Sequence, residues 1–109
     1  MQMISQIQQI FRLKKLPLWL KTYEILGTGP SCGLIEFIND SMSIDAIKKK
    51  MGGGQAKLID YFKGQFGRRK SKGYKKARSA FCNSLAAYSL VCYILQVKDR
   101  HNANIMIDN

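Results

Sequence analysis

The sequence predicts an α+β fold that is mostly helical, and three observations predict it. Apolar residues recur at helical spacing in several separate stretches, the longest over 75–97. One pair of short apolar runs flanks Gly29-Pro30-Ser31 and reads as a hairpin. Gly52-Gly53-Gly54 ends one helical pattern before another begins.

In chain order, Met3, Ile4, Ile7, Ile10, Phe11 and Leu13 alternate with Gln and Ser at a helical period, so 2–15 is an amphipathic helix that Pro17 closes. Residues 21–28 and 32–38 are strands, antiparallel across the Gly-Pro-Ser turn. Asn39-Asp40-Ser41 is a break. Ser43 is placed to cap a helix carrying Asp45 in its first turn and Lys48-Lys49-Lys50 in its last, which complements the helix dipole at both ends. The triple glycine makes a flexible joint. A helix over 55–65 follows, burying Leu58, Ile59 and Phe62, and then a basic segment over 67–76. The last helix, 75–97, carries the stripe Phe81, Leu85, Tyr88, Cys92, Leu95 and is expected to be the most deeply buried element.

The 109 residues allow one domain at most, and 46% apolar content excludes a disordered chain. The mostly apolar part of the last helix covers 85–97, with Asn83, Ser84, Ser89 and Gln96 interrupting any longer window, short of the roughly 18–20 residues a membrane span needs. No signal or transit pattern opens the chain, so a cytosolic location is the default expectation. Cys32, Cys82 and Cys92 form no CxxC pair, and His101 is the one histidine, which argues against disulfide and zinc frameworks. The net charge of +11 is concentrated: Lys63, Arg68, Arg69, Lys70, Lys72, Lys75, Lys76 and Arg78 fall in a window without an acid. Such a run suits an anionic membrane or an acidic partner. With only Phe66 and Tyr74 interleaved, a nucleic-acid stacking platform is not expected.

The chemistry concentrates in Lys98-Asp99-Arg100-His101-Asn102-Ala103-Asn104-Ile105-Met106. Asp99 and Asn104 stand five apart, the spacing of the kinase catalytic loop H-R-D-x-x-x-x-N. Phosphoryl transfer needs an acidic oxygen at the attacking hydroxyl and a neutral carbonyl that reaches a metal on the phosphate side. A loop turning into a short strand can place both. Here the triplet runs Asp-Arg-His instead of His-Arg-Asp.

That order, with Leu16-Pro17-Leu18-Trp19-Leu20-Lys21, Gly33-Leu34-Ile35-Glu36, Leu58-Ile59-Asp60-Tyr61-Phe62 and the run from Ala87 into Asp99-Arg100-His101-Asn102, resembles the phosphoinositide 3-/4-kinase superfamily. Within it, the chain is most similar to the type III phosphatidylinositol 4-kinases of the beta kind. The resemblance implies a fragment of a protein-kinase-like catalytic domain: residues 1–38 as the end of the N-lobe and the hinge, residues 39–109 as part of the helical C-lobe through the catalytic loop. Ile35, Glu36, Phe37 and Ile38 would hold adenine, with the Glu36 carbonyl and the Ile38 N–H as the pair of groups. Asp99 would orient or deprotonate the inositol hydroxyl. His101 would be base or charge stabiliser, Arg100 a clamp on nearby carbonyl or carboxylate groups, and Asn104 a Mg2+ ligand. An imidazole titrates near neutrality without tuning, so the sequence leaves the base open between Asp99 and His101.

The implied reaction moves the γ-phosphate of ATP to the 4-hydroxyl of phosphatidylinositol. The implied cofactors are ATP and Mg2+, and the implied location is cytoplasmic and peripheral on endomembranes of Golgi type. Two departures qualify it. The family's glycine-rich loop and strand lysine do not occur in the sequence, nor does its Asp-Phe-Gly element, so the 109-residue polypeptide is expected to be inactive alone. The basic run also exceeds the family's charge there, and Arg68, Arg69, Lys70 and Lys72 are its expected membrane or partner contacts. The competing reading is a non-catalytic basic helical module that binds an anionic membrane or an acidic partner.

Overall fold

A computed structural model describes residues 2–108; Met1 and Asn109, the two ends of the expected 1–109 domain, lie outside the described residues. The described chain is mixed α+β with four helices and two small antiparallel sheets. Helix α1 spans Gln2–Leu13, and strands β1 (Ile25–Gly29) and β2 (Cys32–Ile35) form the hairpin. Strand β3 (Ser41–Ser43) leads into α2 (Ile44–Lys50), followed by α3 (Leu58–Phe66), α4 (Lys72–Ile94) and β4 (Met106–Asp108).

Helix ends explain most differences from the expected boundaries. α1 stops at Leu13 because Lys15 turns left-handed at φ 52°, with Leu16 N–H donating to the Phe11 carbonyl and Lys15 N–H to that of Arg12. This is a Schellman closure without glycine. α4 closes the same way at Gln96, φ 54°, with Val97 N–H donating to the Cys92 carbonyl. α2 repeats the closure with Gly52 at φ 108°, where glycine carries no Cβ penalty. α4 begins at Lys72, three residues ahead of the expected 75, because Ser71 caps it: its Oγ accepts from Tyr74 N–H at 3.2 Å. The same hydroxyl donates to the Phe66 carbonyl at 3.0 Å and so ties α3 to α4. Gly73 is required by this approach, since a Cβ there would meet the Phe66 carbonyl oxygen at 3.0 Å.

Two apolar clusters hold the described chain together. Phe11, Leu20, Ala87 and Val91 join α1 and the segment after Pro17 to the second half of α4. Ile47, Phe62, Tyr74 and Ile107 join α2, α3, the first half of α4 and β4, with Phe62 edge-on to Phe81 at 5.4 Å. Each such large side chain contributes about 1.5–3 kcal/mol when fully buried. α4 alone enters both clusters, and it holds three of the eight buried apolar residues, Tyr74, Ala87 and Val91. Its buried stripe is rotated from the expected one. Phe81, Tyr88, Cys92 and Leu95 are partly buried, but Leu85 is exposed and Ala87 and Val91 lie deepest. Leu90, Tyr93 and Ile94 are exposed as well, so no described element covers that face.

The hairpin pairs Ile25 with Ile35 and Gly27 with Gly33, with a register break before Gly29, and every residue of both strands is exposed. β3 pairs with β4, Met42 opposite Ile107. No described helix is long and apolar enough to cross a membrane.

The phenol of Tyr88 donates to the Lys21 carbonyl at 2.6 Å, fastening α4 to the segment that leads into the hairpin. Burial pushes this phenol above its ordinary value. An acid whose folded pKa is raised contributes stability below its unfolded value, near 10, and loses it as pH climbs through the folded one. Tyr88→Phe is therefore expected to cost about 1 kcal/mol at neutral pH and to flatten the alkaline fall. Urea unfolding of the gene product at neutral and strongly alkaline pH checks both; equal alkaline slopes in wild type and variant would place the titrating group elsewhere.

Candidate functional site

The loop between α4 and β4 is closed by its own side chains. Two residues past the Schellman end of α4, Asp99 is itself left-handed at φ 59°, a conformation that Asp tolerates better than most residues. The side chain of Asn104 spans the turn. Its Nδ2 donates to the Asp99 carbonyl, and its Oδ1 accepts the His101 N–H at 3.0 Å. Those two contacts fix the amide's orientation, since a flip would set donor against donor and acceptor against acceptor. Asn104 N–H also donates to the His101 carbonyl at 3.1 Å.

His101 is oriented from both ring nitrogens. Nδ1 accepts the Ala103 N–H at 3.2 Å, which places the neutral ring's proton on Nε2. Nε2 faces the Asp99 carboxylate, 3.6 Å from Oδ1. The Asn104 Nδ2 lies 3.4 Å from the same Nε2; we read that as a donor beside a donor, because the shorter Ala103 contact settles the tautomer. Arg100 turns away from this group, and its Nε donates to the Lys98 carbonyl at 3.1 Å. Asp99 and His101 are exposed and Asn104 is half-buried.

The loop rests on α2. Asp45 N–H donates to the Asn102 carbonyl at 2.9 Å and Ile44 N–H to the Ile105 carbonyl at 3.0 Å. These are two of the donors a helix start leaves without an intrahelical partner. Ser43 holds that start in place, its Oγ accepting the Ala46 N–H at 3.1 Å. Sequence reasoning assigned no role in the site to Ile44, Asp45 or Ala103. Their contribution is made by backbone N–H groups, which leave no residue-type signal; only the cap at Ser43 was visible.

At the hairpin's exit, Glu36 N–H donates to the Glu24 carbonyl at 2.9 Å, and the Glu36 carboxylate accepts the Glu24 N–H at 2.8 Å. The Glu36 carbonyl oxygen and the Ile38 N–H have no hydrogen-bond partner among the described residues, while the Ile38 carbonyl accepts from the Ser41 hydroxyl at 2.8 Å. Ile35 ends β2, and Phe37 is 78% exposed. The four expected contacts, Ile35 to Ile38, thus run from the end of β2 into the following loop, which presents a backbone acceptor and a donor.

Arg68, Arg69 and Lys70 lie in the turn between α3 and α4, and Lys72 opens α4. All four are exposed. Among the described residues no group of three or more His, Cys, Asp or Glu could hold a metal ion. The donor set still fits Mg2+, which binds through one or two protein oxygens and completes its shell with water and phosphate oxygens. Asn104 Oδ1, which accepts the His101 N–H, keeps a second lone pair for such an ion.

The loop thus gathers a carboxylate, an imidazole and an amide, and the hairpin's exit leaves one backbone carbonyl and one N–H open. The comparisons give the family. The family model for phosphatidylinositol 3- and 4-kinase matches residues 1–109, and the chain belongs to that family. It is 43% identical over 118 residues to phosphatidylinositol 4-kinase PIK1alpha of Candida albicans, covering 98% of this chain and 12% of that protein. It is 46% identical over 107 residues to a phosphatidylinositol 4-kinase of Dictyostelium discoideum, with 98% and 9% covered. Phosphatidylinositol 4-kinase beta of Sorex araneus is 41% identical over 107 residues, with 98% and 13% covered. The chain thus spans about a tenth of the length of these relatives.

Proposed function

We propose that the chain is the hinge and catalytic-loop portion of a lipid kinase that transfers the γ-phosphate of ATP to the 4-hydroxyl of phosphatidylinositol. The observation that carries this is the closed loop in which Asn104 ties Asp99 to His101. With the His101 proton on Nε2 and Nδ1 occupied by Ala103, the imidazole is a donor at this geometry. The exposed Asp99 carboxylate is then the group that accepts the inositol hydroxyl's proton. His101 Nε2–H stabilises charge on the phosphoryl oxygens. Arg100 holds the loop's backbone through Lys98. Glu36 and Ile38 receive the adenine edge by one carbonyl and one N–H, flanked by Ile35 and Phe37. Asn104, with a carboxylate, would hold Mg2+, which when bound neutralises phosphate charge. Transfer by such a site is positioning plus electrostatics. A membrane-lipid substrate would put the enzyme at a cytoplasmic membrane face, and the resemblance to the beta-kind 4-kinases favours one of Golgi type.

The test is the natural gene product containing residues 1–109, supplied with ATP, Mg2+ and phosphatidylinositol vesicles. Phosphatidylinositol 4-phosphate, identified by its head-group position, is expected. Turnover of ATP without lipid product, or phosphate at another hydroxyl, would overturn the assignment.

A further inference from the structure

We propose that the turn between α3 and α4, with the first turns of α4, is a binding site for the phosphomonoester headgroup of a membrane lipid, seated between Arg69, Lys75 and Arg78. The site is separate from the transfer chemistry. Only the choice of phosphatidylinositol 4-phosphate as probe rests on the function proposed above.

Four observations carry the inference. First, the charge has no internal answer. No acidic residue occurs between Asp60 and Asp99. Lys63 is paired with Asp60 at 2.8 Å, but Arg68, Arg69, Lys70, Lys72, Lys75, Lys76 and Arg78 have no ion-pair partner among the described residues. All seven are exposed.

Second, the charges converge. Arg69, Lys75, Arg78, Ser79, Cys82 and the edge of Tyr74 line one shallow groove of about 340 Å³. Lys75, Arg78, Ser79 and Cys82 share a helix face by their three- and four-residue spacings, and Arg69 reaches it from the turn. A neighbouring groove is lined by Lys63, Arg68, Arg69 and Lys70, so Arg69 belongs to both. A volume of this size lies at the small end of the range for small-molecule clefts.

Third, the cations stand at the wrong end of a helix. α4 has no acid in its first turn, and Lys72, Lys75, Lys76 and Arg78 crowd its N-terminal turns. That end carries partial positive charge, so cations there oppose the dipole. An arriving anion relieves both repulsions at once.

Fourth, the platform is preorganised. Ser71 caps α4, donates its hydroxyl to the Phe66 carbonyl, and gives its N–H to the Arg68 carbonyl at 2.8 Å. The turn that carries Arg68, Arg69 and Lys70 is therefore braced from both sides.

The chemistry selects the ligand. A phosphomonoester carries about −1.5 to −2 charge and three acceptor oxygens, and guanidinium forks match it in two-point contacts. A phosphodiester headgroup offers one charge and fewer open oxygens. Nucleic acid is disfavoured because the two nearby aromatics are not free to stack: Tyr74 is buried and Phe66 is half-buried.

The experiment is vesicle sedimentation of the natural gene product containing this chain. Phosphatidylcholine vesicles carry either phosphatidylinositol 4-phosphate or phosphatidylserine at equal total charge, at low and high salt. Inorganic phosphate and soluble inositol phosphate are added as competitors. The expected result is preference for the phosphomonoester vesicles, retained in part at high salt. The triple variant Arg69→Gln, Lys75→Gln, Arg78→Gln should weaken that binding by roughly fivefold per charge removed. The pair Arg69→Lys, Arg78→Lys, which keeps charge but loses the forks, should fall between. A charge-matched control, Arg12→Gln, Lys14→Gln, Lys50→Gln, should retain the preference. All these side chains are exposed, so folding is not at risk. Equal binding to both vesicles, or equal loss in the control, would sink the proposal, as would an RNA probe that out-competes the vesicles. Competition by soluble phosphate as strong as by the lipid would reassign the site to a free anion and overturn the membrane claim. Loss of lipid-kinase activity in the earlier assay with vesicle binding intact would overturn the function and leave this site standing.

Discussion

Asp99→Asn in the full gene product is expected to lower kcat for phosphatidylinositol phosphorylation by about 10²–10⁴-fold, the contribution typical of a positioned general base, with little change in the KM for ATP. Asn is the informative replacement. Asp99 holds a left-handed backbone at φ 59°, and Asn tolerates that conformation nearly as well as Asp, whereas Ala adds a conformational cost to the chemical one. His101→Ala should act on the same parameter, because Nε2–H meets charge that develops in the transition state and not in bound ATP. It also removes the partner 3.6 Å from Asp99, so the double variant should lose less than the product of the two single losses. Steady-state kinetics in both substrates checks this. Wild-type turnover by Asp99→Asn would move the base elsewhere, and a rise in ATP KM with kcat preserved would make Asp99 a binding group.

Asn104→Ala should be nearly as severe, for two reasons that can be separated. It withdraws an oxygen from the metal, so the Mg2+ concentration for half-maximal rate should rise, and kcat should fall about 10²–10³-fold even at saturating metal. It also opens the loop, because Oδ1 no longer takes the His101 N–H and Nδ2 no longer takes the Asp99 carbonyl. Asn104→Asp distinguishes the two. A carboxylate keeps the acceptor for His101 and a metal oxygen but loses the donor to Asp99. Recovery of the Mg2+ dependence without recovery of kcat would assign the residual loss to loop closure. An unchanged Mg2+ requirement in Asn104→Ala would refute the metal role while leaving the closing role intact.

Much of the fold was legible where side chains announce it. Ser43 as a cap, Asp45 and the three lysines at the ends of α2, the Gly-Pro-Ser turn and the triple glycine all have residue-type signals. The misplaced ends of α1 and α4 share one cause. Lys15 and Gln96 turn left-handed without glycine, so the sequence patterns run on to 15 and 97 while the helices stop at Leu13 and Ile94. β3 went unread because three residues are too few for an alternation to register. The stripe on α4 misled at Leu85 because that half of the helix is apolar nearly all round, and such a surface does not say which side faces the core. In the site, Asp99, His101 and Asn104 were visible as types at a spacing. The His101 tautomer and the loop's seat on α2 were not, because both depend on backbone donors. The base left open by the sequence is assigned to Asp99 by the proposal only because Ala103 occupies Nδ1.

The Tyr88–Lys21 hydrogen bond links residues 67 apart in sequence. During synthesis the hairpin therefore leaves the ribosome long before its fastening exists. At about 5–20 residues per second, the wait is roughly 3–13 s. Through that interval a two-stranded ribbon, marginal by itself and open at both edges, must be shielded by other chain or by chaperones. Codon choice between the two residues, which changes no atom of the finished protein, thereby sets how long this exposed ribbon stays undocked.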